Sequence, residues 1–327
     1  MRQDGGYDGQ FYFYAAHDPF MNTDHFKAMD FARYRYRRIA YPLLVNMVSF
    51  GSPQAIPYCM VLVNILAIAL GTFFIGRIAE YYGQSVWYSL LYGLIPGLFL
   101  AVTRNLTEPL QMASICGALY FYICKRSFLL TSLFLTIAAL SKSTALLIPF
   151  AIILHELLFQ KDKREFWLLF CPFLLYSLWY IYVEYKIDGP IYDFHLTASG
   201  YSSLYFVPLY PFLKILSYKI STLWKHNSMT HIFYDISFTI ACFSSIVLAF
   251  KSIFKISLQS TLPLLSFALL SIFIADPWAD YFSFTRTLAP LYLLLLIYYL
   301  NTREKIFLLP FFISTPALLL FIAQTTI

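Results

Sequence analysis

The sequence predicts an all-α fold: a polytopic transmembrane helix bundle of about ten spans, with an external N-terminal loop region and an interfacial amphipathic helix. Three observations predict it. Hydrophobic residues make up 60% of the 327-residue chain. Charged residues make up only 12%, against roughly a quarter in a soluble domain. The apolar residues recur in runs close to the ~20 residues a helix needs to cross a bilayer, and mean hydropathy is +0.66. Aromatics reach 20%, with 33 Phe and 27 Tyr, and tyrosine suits either a membrane interface or the wall of a wet cavity.

Residues 1–327 read as one integral-membrane domain, taken in order as follows. Residues 1–54 are polar and form the external catalytic loop region. Residues 55–185 hold spans at 55–76, 85–103, 108–124, 127–141, 143–159 and 166–185. The run 127–159 is too long for one ordinary crossing, and Ser141-Lys142-Ser143-Thr144 divides it. Residues 186–230 hold Asp188-Gly189-Pro190 and then an intermittently apolar segment with Lys214 and Lys219, an external loop followed by the interfacial helix. Residues 231–327 supply spans at 232–250, 258–275, 286–300 and 306–324.

The positive-inside rule orients these spans. With the N-terminal segment outside, the inside turns hold Arg77; Lys125 and Arg126; Lys161, Lys163 and Arg164; Lys251 and Lys255; and Arg303 and Lys305. Every short inside turn is then basic, and dividing 127–159 is what keeps the Lys161 cluster inside. The outside comprises residues 1–54, 104–107, 142, 186–230 and 276–285. No apolar stretch stands ahead of this polar segment to export it. Either the first span drives its own upstream tail across or an N-terminal helix is missing from the sequence, and the second is the expectation held here.

Several classes of chemistry find no support. The cysteines Cys59, Cys116, Cys124, Cys171 and Cys242 lie in apolar runs without CxxC or Cys/His spacing and read as packing residues. The histidines His17, His25, His155, His195, His226 and His231 show neither HxxxH nor HExxH spacing, so no metal and no other cofactor is expected. There is no nucleotide-binding glycine motif and no internal repeat, and the basic residues do not form a soluble face, so nucleic acid is not an expected partner.

Polar residues gather in a few places instead. Asp8 is surrounded by Gly5, Gly6 and Gly9, which let the backbone approach a ligand. A carboxylate at a membrane–water boundary can orient or deprotonate a hydroxyl; the plain alternative is a solvated Asp-Gly turn. Arg33, Arg35, Arg37 and Arg38 alternate with tyrosines. In a strand the first three share a face, whereas in a helix Arg33 and Arg37 stack. Their forks fit phosphate oxygens, and anionic lipid headgroups are the alternative ligand. Arg104 and Glu108 flank a short external turn, either paired with one another or facing a cavity. Lys142 sits between two apolar helices and must snorkel or find an anion. Arg286 ends an external loop that begins at Asp276-Pro277-Trp278.

The stretch Tyr7-Asp8-Gly9-Gln10-Phe11-Tyr12, then Asp18-Pro19, then Tyr34-Arg35-Tyr36-Arg37-Arg38-Ile39-Ala40-Tyr41-Pro42-Leu43-Leu44, resembles the start of bacterial integral-membrane glycosyltransferases of the GT-C superfamily. Leu106-Thr107-Glu108-Pro109, Leu140-Ser141-Lys142-Ser143-Thr144 and Phe284-Thr285-Arg286 fall where later motifs of that group are expected. The resemblance implies a transferase, inverting in type, that moves sugar from a polyprenyl-phosphate donor to a glycan or lipid acceptor of the cell envelope. It implies the bacterial inner membrane with the active face external or periplasmic, and membrane lipids as partners. Asp8 is then the catalytic base, with Glu108 as a second catalytic carboxylate. Tyr7, Gln10, Arg33, Arg35, Arg37, Arg38, Arg104, Lys142 and Arg286 are the substrate-binding set. Two departures stand out: the helix that precedes the first loop is absent, and Lys142 is followed by Ser143 rather than by an acid. A transporter or lipid flippase, and an inactive assembly subunit of the same fold, are the competing classes.

Overall fold

Where no water reaches the backbone, a single segment can satisfy its own N–H and C=O groups only as a helix. The computed structural model describes residues 8–159, 165–187, 229–255, 258–273 and 281–325. Of the described residues 84% are helical and none lies in a strand, as the all-α reading requires. Each predicted apolar run falls on helix wherever it is described.

About half of the expected crossings meet the length a bilayer demands. Among the described residues, four helices are long and apolar enough to cross a membrane: Ile56–Tyr81, Phe166–Lys186, Ile232–Lys255 and Lys305–Gln324. A fifth forms if Val86–Gly93 and Pro96–Thr103, bent by 54°, make one crossing. Phe128–Ser141, Ser143–Phe159, Thr261–Ile272 and Ala289–Thr302 are apolar but short. At 1.5 Å per residue, a helix of about 14 residues reaches only about 21 Å of a ~30 Å hydrocarbon core. Polar residues and prolines cut these runs. Lys142, for example, is extended (φ −163°, ψ 124°) and stops one helix before the next begins. The break therefore lies at Ser141–Thr144, where the sequence placed it. The external loop and interfacial helix expected in 186–230 fall almost wholly outside the described residues, as do Tyr7 and Lys161 to Arg164.

The chain divides into two compact units, Met1–Arg77 with Ala101–Phe194, and Ile78–Leu100 with His195–Ile327. The first unit begins with a correction: residues 8–54 are mostly helical rather than loop. They form α1 (Gly9–His17), a 3-10 turn at Asp24–Ala28, α2 (Ala32–Tyr36) and α3 (Ala40–Val48). The reason lies in the spacing of apolar residues on α1. Tyr12 and Ala16, four apart, pack with Tyr41, Val45, Met60, Ala101 and Leu106. Phe11 and Ala15, on the adjacent face, pack with Tyr36, Ile39, Val183 and Ile187. Both faces of so short a helix are buried, so tertiary packing rather than propensity holds it.

The first unit continues with α4 (Ile56–Tyr81, up to Arg77), α6 (Pro96–Thr103, entered at Ala101; the short α5, Leu90–Gly93, belongs to the second unit), α7 (Glu108–Tyr120), α8 (Phe128–Ser141), α9 (Leu147–Phe159) and α10 (Cys171–Lys186). α7 is the centre: every residue from Glu108 to Leu119 is buried. Its Ala113, Ser114, Cys116, Gly117 and Ala118 let neighbours approach closely. Gly117 has no room for a Cβ, because the rings of Phe134 and Phe74 occupy that space. In the second unit the same central role falls to Ala289–Thr302, buried throughout from Ala289 to Leu300. Arg303 ends that helix in the left-handed region (φ 62°) and donates to the Tyr82 carbonyl at 3.3 Å, while Glu304 pairs with Lys255 at 2.7 Å.

Candidate active site

Asp8 is the residue that opens α1, with Gly9 as the first helical residue. The glycine is required there: a Cβ at position 9 would collide with the Arg104 carbonyl oxygen. That close approach sets Asp8 against the turn 104–107, where Asn105 adopts a left-handed conformation (φ 52°). Two segments nearly a hundred residues apart, both singled out from sequence, are thus in backbone contact.

The arginines lie on α2 and the turn after it. α2 is helical, so Arg33 and Arg37 share a face, the second of the two arrangements the spacing allowed. Both reach Glu184 on α10: Arg37 Nη2 donates to Oε1 at 2.6 Å and Arg33 Nε lies 3.4 Å from Oε2. Arg37 also donates to the Tyr180 hydroxyl, and Arg33 to the Ile187 carbonyl. Arg35 turns the other way. Its Nη2 lies 3.1 Å from Asp8 Oδ1, and its Nε and Nη2 both donate to Asp30 Oδ1. Its guanidinium also stands over the Phe11 ring at 4.6 Å. Burial works against a charge on Arg35, but Asp8, Tyr12 and Asp30 outweigh it and hold its pKa above the ordinary value. Arg38 is buried and donates to the Tyr12 hydroxyl at 2.9 Å, with the Tyr34 ring 4.0 Å away.

Lys142 and Glu108 form a buried pair, Nζ to Oε1 at 3.0 Å, joining the end of α8 to the start of α7. Of the two courses open to Lys142, to snorkel or to find an anion, it takes the second, and the anion lies inside the protein. Glu108, expected as a catalytic carboxylate, is 2% exposed and is the partner that holds Lys142. One residue on, Ser143 hydrogen-bonds Tyr176, which lies in the field of both Arg37 and Arg38.

The structure thus brings together Asp8, Arg33, Arg35, Arg37 and Arg38, sets the Arg104 backbone against Gly9, and ties Glu108 to Lys142. Gln10 is exposed, and Tyr7 lies outside the described residues. Arg286 belongs to the second unit, on Tyr281–Thr287, where the Thr285 carbonyl leaves Gly97 no room for a Cβ. Among the described residues no group of three or more His, Cys, Asp or Glu could hold a metal. Sequence reasoning did not single out Tyr12, Asp30, Tyr34, Tyr176 or Glu184 as individual site residues. Glu184 carried a usable signal, because an acid inside a predicted span marks a polar partner. Asp30 carried none.

Comparison with protein-family models, curated proteins and solved structures finds no match to the chain.

Proposed function

We propose that the chain is a membrane glycosyltransferase of GT-C type, acting at the external or periplasmic face of a bacterial inner membrane. It moves a sugar from a polyprenyl-phosphate donor to a glycan or lipid acceptor. One observation carries the reading: a partly exposed carboxylate, Asp8, held by one arginine and set among further buried cations. That is the pairing of base and anion-binding groups that transfer from a phosphate-linked sugar needs.

In this reading the acceptor hydroxyl attacks the anomeric carbon and its proton passes to Asp8. The bond from that carbon to the phosphate oxygen breaks, and its electron pair leaves with the phosphate. Attack opposite the leaving group gives inversion. Arg35 fixes the direction of the Asp8 carboxylate, and Asp30 fixes Arg35. The net positive field of the cluster stabilises charge on the departing phosphate.

The test is Asp8→Asn in membranes supplied with a radiolabelled polyprenyl-phosphate sugar. Transfer is expected to fall by about 10²–10⁴-fold, the usual contribution of general-base catalysis, at unchanged protein level. Undiminished transfer overturns the role.

A further inference from the structure

The site's cations are not equivalent. Arg33 and Arg37 share Glu184, Arg35 is divided between Asp8 and Asp30, and Lys142 is matched by Glu108. Arg38 is the exception. Only 9% of it is exposed, yet its contacts are a neutral hydroxyl and an aromatic face, and no carboxylate lies within 4 Å of it among the described residues. A buried ion without a counter-charge is costly, and hydrogen bonding to Tyr12 with the ring of Tyr34 offsets only part of that cost.

We infer that Arg38 is the seat of a phosphate group, and that Arg33, Arg35, Arg37 and Lys142 are scaffold that keeps the surrounding field positive. This rests on the proposed transferase reading only for the ligand's class. Three features support it. Arg38 spends one amino group on Tyr12, which leaves the rest of its fork for the paired oxygens of a tetrahedral anion. The Tyr12 hydroxyl, 1% exposed, accepts from Arg38 and keeps its own proton to donate. Tyr176 and Ser143 bring two more hydroxyls to the same neighbourhood. The seat therefore offers a cation and several neutral donors, while every nearby carboxylate is occupied by another cation.

The experiment measures binding by the full-length chain in detergent. The probes are inorganic phosphate and a polyprenyl phosphate. Arg38→Gln is expected to weaken binding at least ~10-fold, and Arg37→Gln, whose charge is already balanced by Glu184, less than ~3-fold. Binding of both probes by the wild type assigns the seat to phosphate as such; binding of the lipid alone assigns it to a lipid headgroup. Three results overturn the inference: neither probe binds, Arg38→Gln binds as tightly as the wild type, or the two variants lose equally. If Arg38→Gln does not fold, Arg38→Lys keeps the charge without the fork and is still expected to lose affinity several-fold; equal binding overturns the assignment. Asp8→Asn separates the two proposals. Undiminished transfer in that variant ends the catalytic reading, while phosphate binding in it stands or falls with Arg38.

Discussion

Within the first unit, two buried ionic clusters at opposite ends of α7 and α9 differ in one respect. At the far end Glu156, fully buried, accepts two parallel bonds from Arg126 at 2.9 and 3.0 Å and a third from the Tyr122 hydroxyl at 2.6 Å. Tyr122 also bonds His155 Nδ1 at 2.9 Å. One cation meets one acid in bidentate geometry, and the cluster is complete. At the near end the cations Arg33, Arg35, Arg37, Arg38 and Lys142 meet the acids Asp8, Asp30, Glu108 and Glu184. Among these described residues one positive charge, that of Arg38, is left over. A saturated cluster holds helices together, whereas one with surplus charge can also attract an anion. The difference separates a clamp from a site, although both look alike as strings of charged and tyrosine residues in sequence.

The largest effect that tests this contrast is at the clamp. Glu156→Ala strips the buried Tyr122 hydroxyl of its acceptor, at about 1–3 kcal/mol, and leaves a cavity that adds to it, while Arg126, its side chain 38% exposed, turns toward solvent. The unfolding midpoint in detergent should fall sharply, while phosphate affinity in protein that remains folded should stay near the wild-type value. A variant with normal stability and impaired binding would reverse the assignment of the two ends.

A smaller effect tests the near end without touching a charge. Gly9→Ala places a methyl group against the Arg104 carbonyl, a backbone atom that cannot rotate away. Overpacking of this kind costs about 1–3 kcal/mol. It also pushes the start of α1 from the 104–107 turn, so transfer activity should drop by more than stability alone explains. Normal transfer in Gly9→Ala would show that the close approach of Gly9 to the Arg104 carbonyl is incidental.

Much of this contrast was legible in the sequence and part of it was not. Helix class followed from the apolar runs, and the break at Lys142 followed from one lysine in an apolar stretch. The ends of helices were harder to read. Gly9 and the Arg104 carbonyl meet because α1 buries two adjacent faces, one against Ala101 and Leu106 and the other against Val183 and Ile187, far along the chain. An unmatched lysine at Lys142 had to snorkel or find an anion; Glu108 is that anion, but its reach across α7 and α8 is a matter of three-dimensional register. The same holds for Glu184, which pairs with both Arg33 and Arg37 from a distant helix. Charge content can be read from residues alone, but which charges cancel depends on tertiary neighbours.

The smallest effect concerns Asp18, an acid near the site that is spent entirely on the protein. Its carboxylate accepts from the Asn22 and Thr23 amides at 3.0 and 2.6 Å and from the Thr23 hydroxyl at 2.6 Å, closing the turn after α1, while its carbonyl accepts from Tyr36. Burial alone would raise its pKa, but the Thr23 side chain, the two amides and His25 outweigh burial and lower it. An acid with a lowered folded pKa contributes stability that is fully present above the unfolded value, here 3.8, and is lost as pH falls through the folded value below it. Asp18→Asn keeps one acceptor oxygen and loses the other, and should therefore cost about 1 kcal/mol at neutral pH, the net worth of one ordinary hydrogen bond. The cost should shrink as pH falls below about 3.8, where the wild type loses the same charge. Unfolding midpoints of both proteins across that range decide it. A pH-independent difference would mean that Asp18 acts through shape rather than charge, and the contrast between spent and surplus charge would then rest on Glu156 alone.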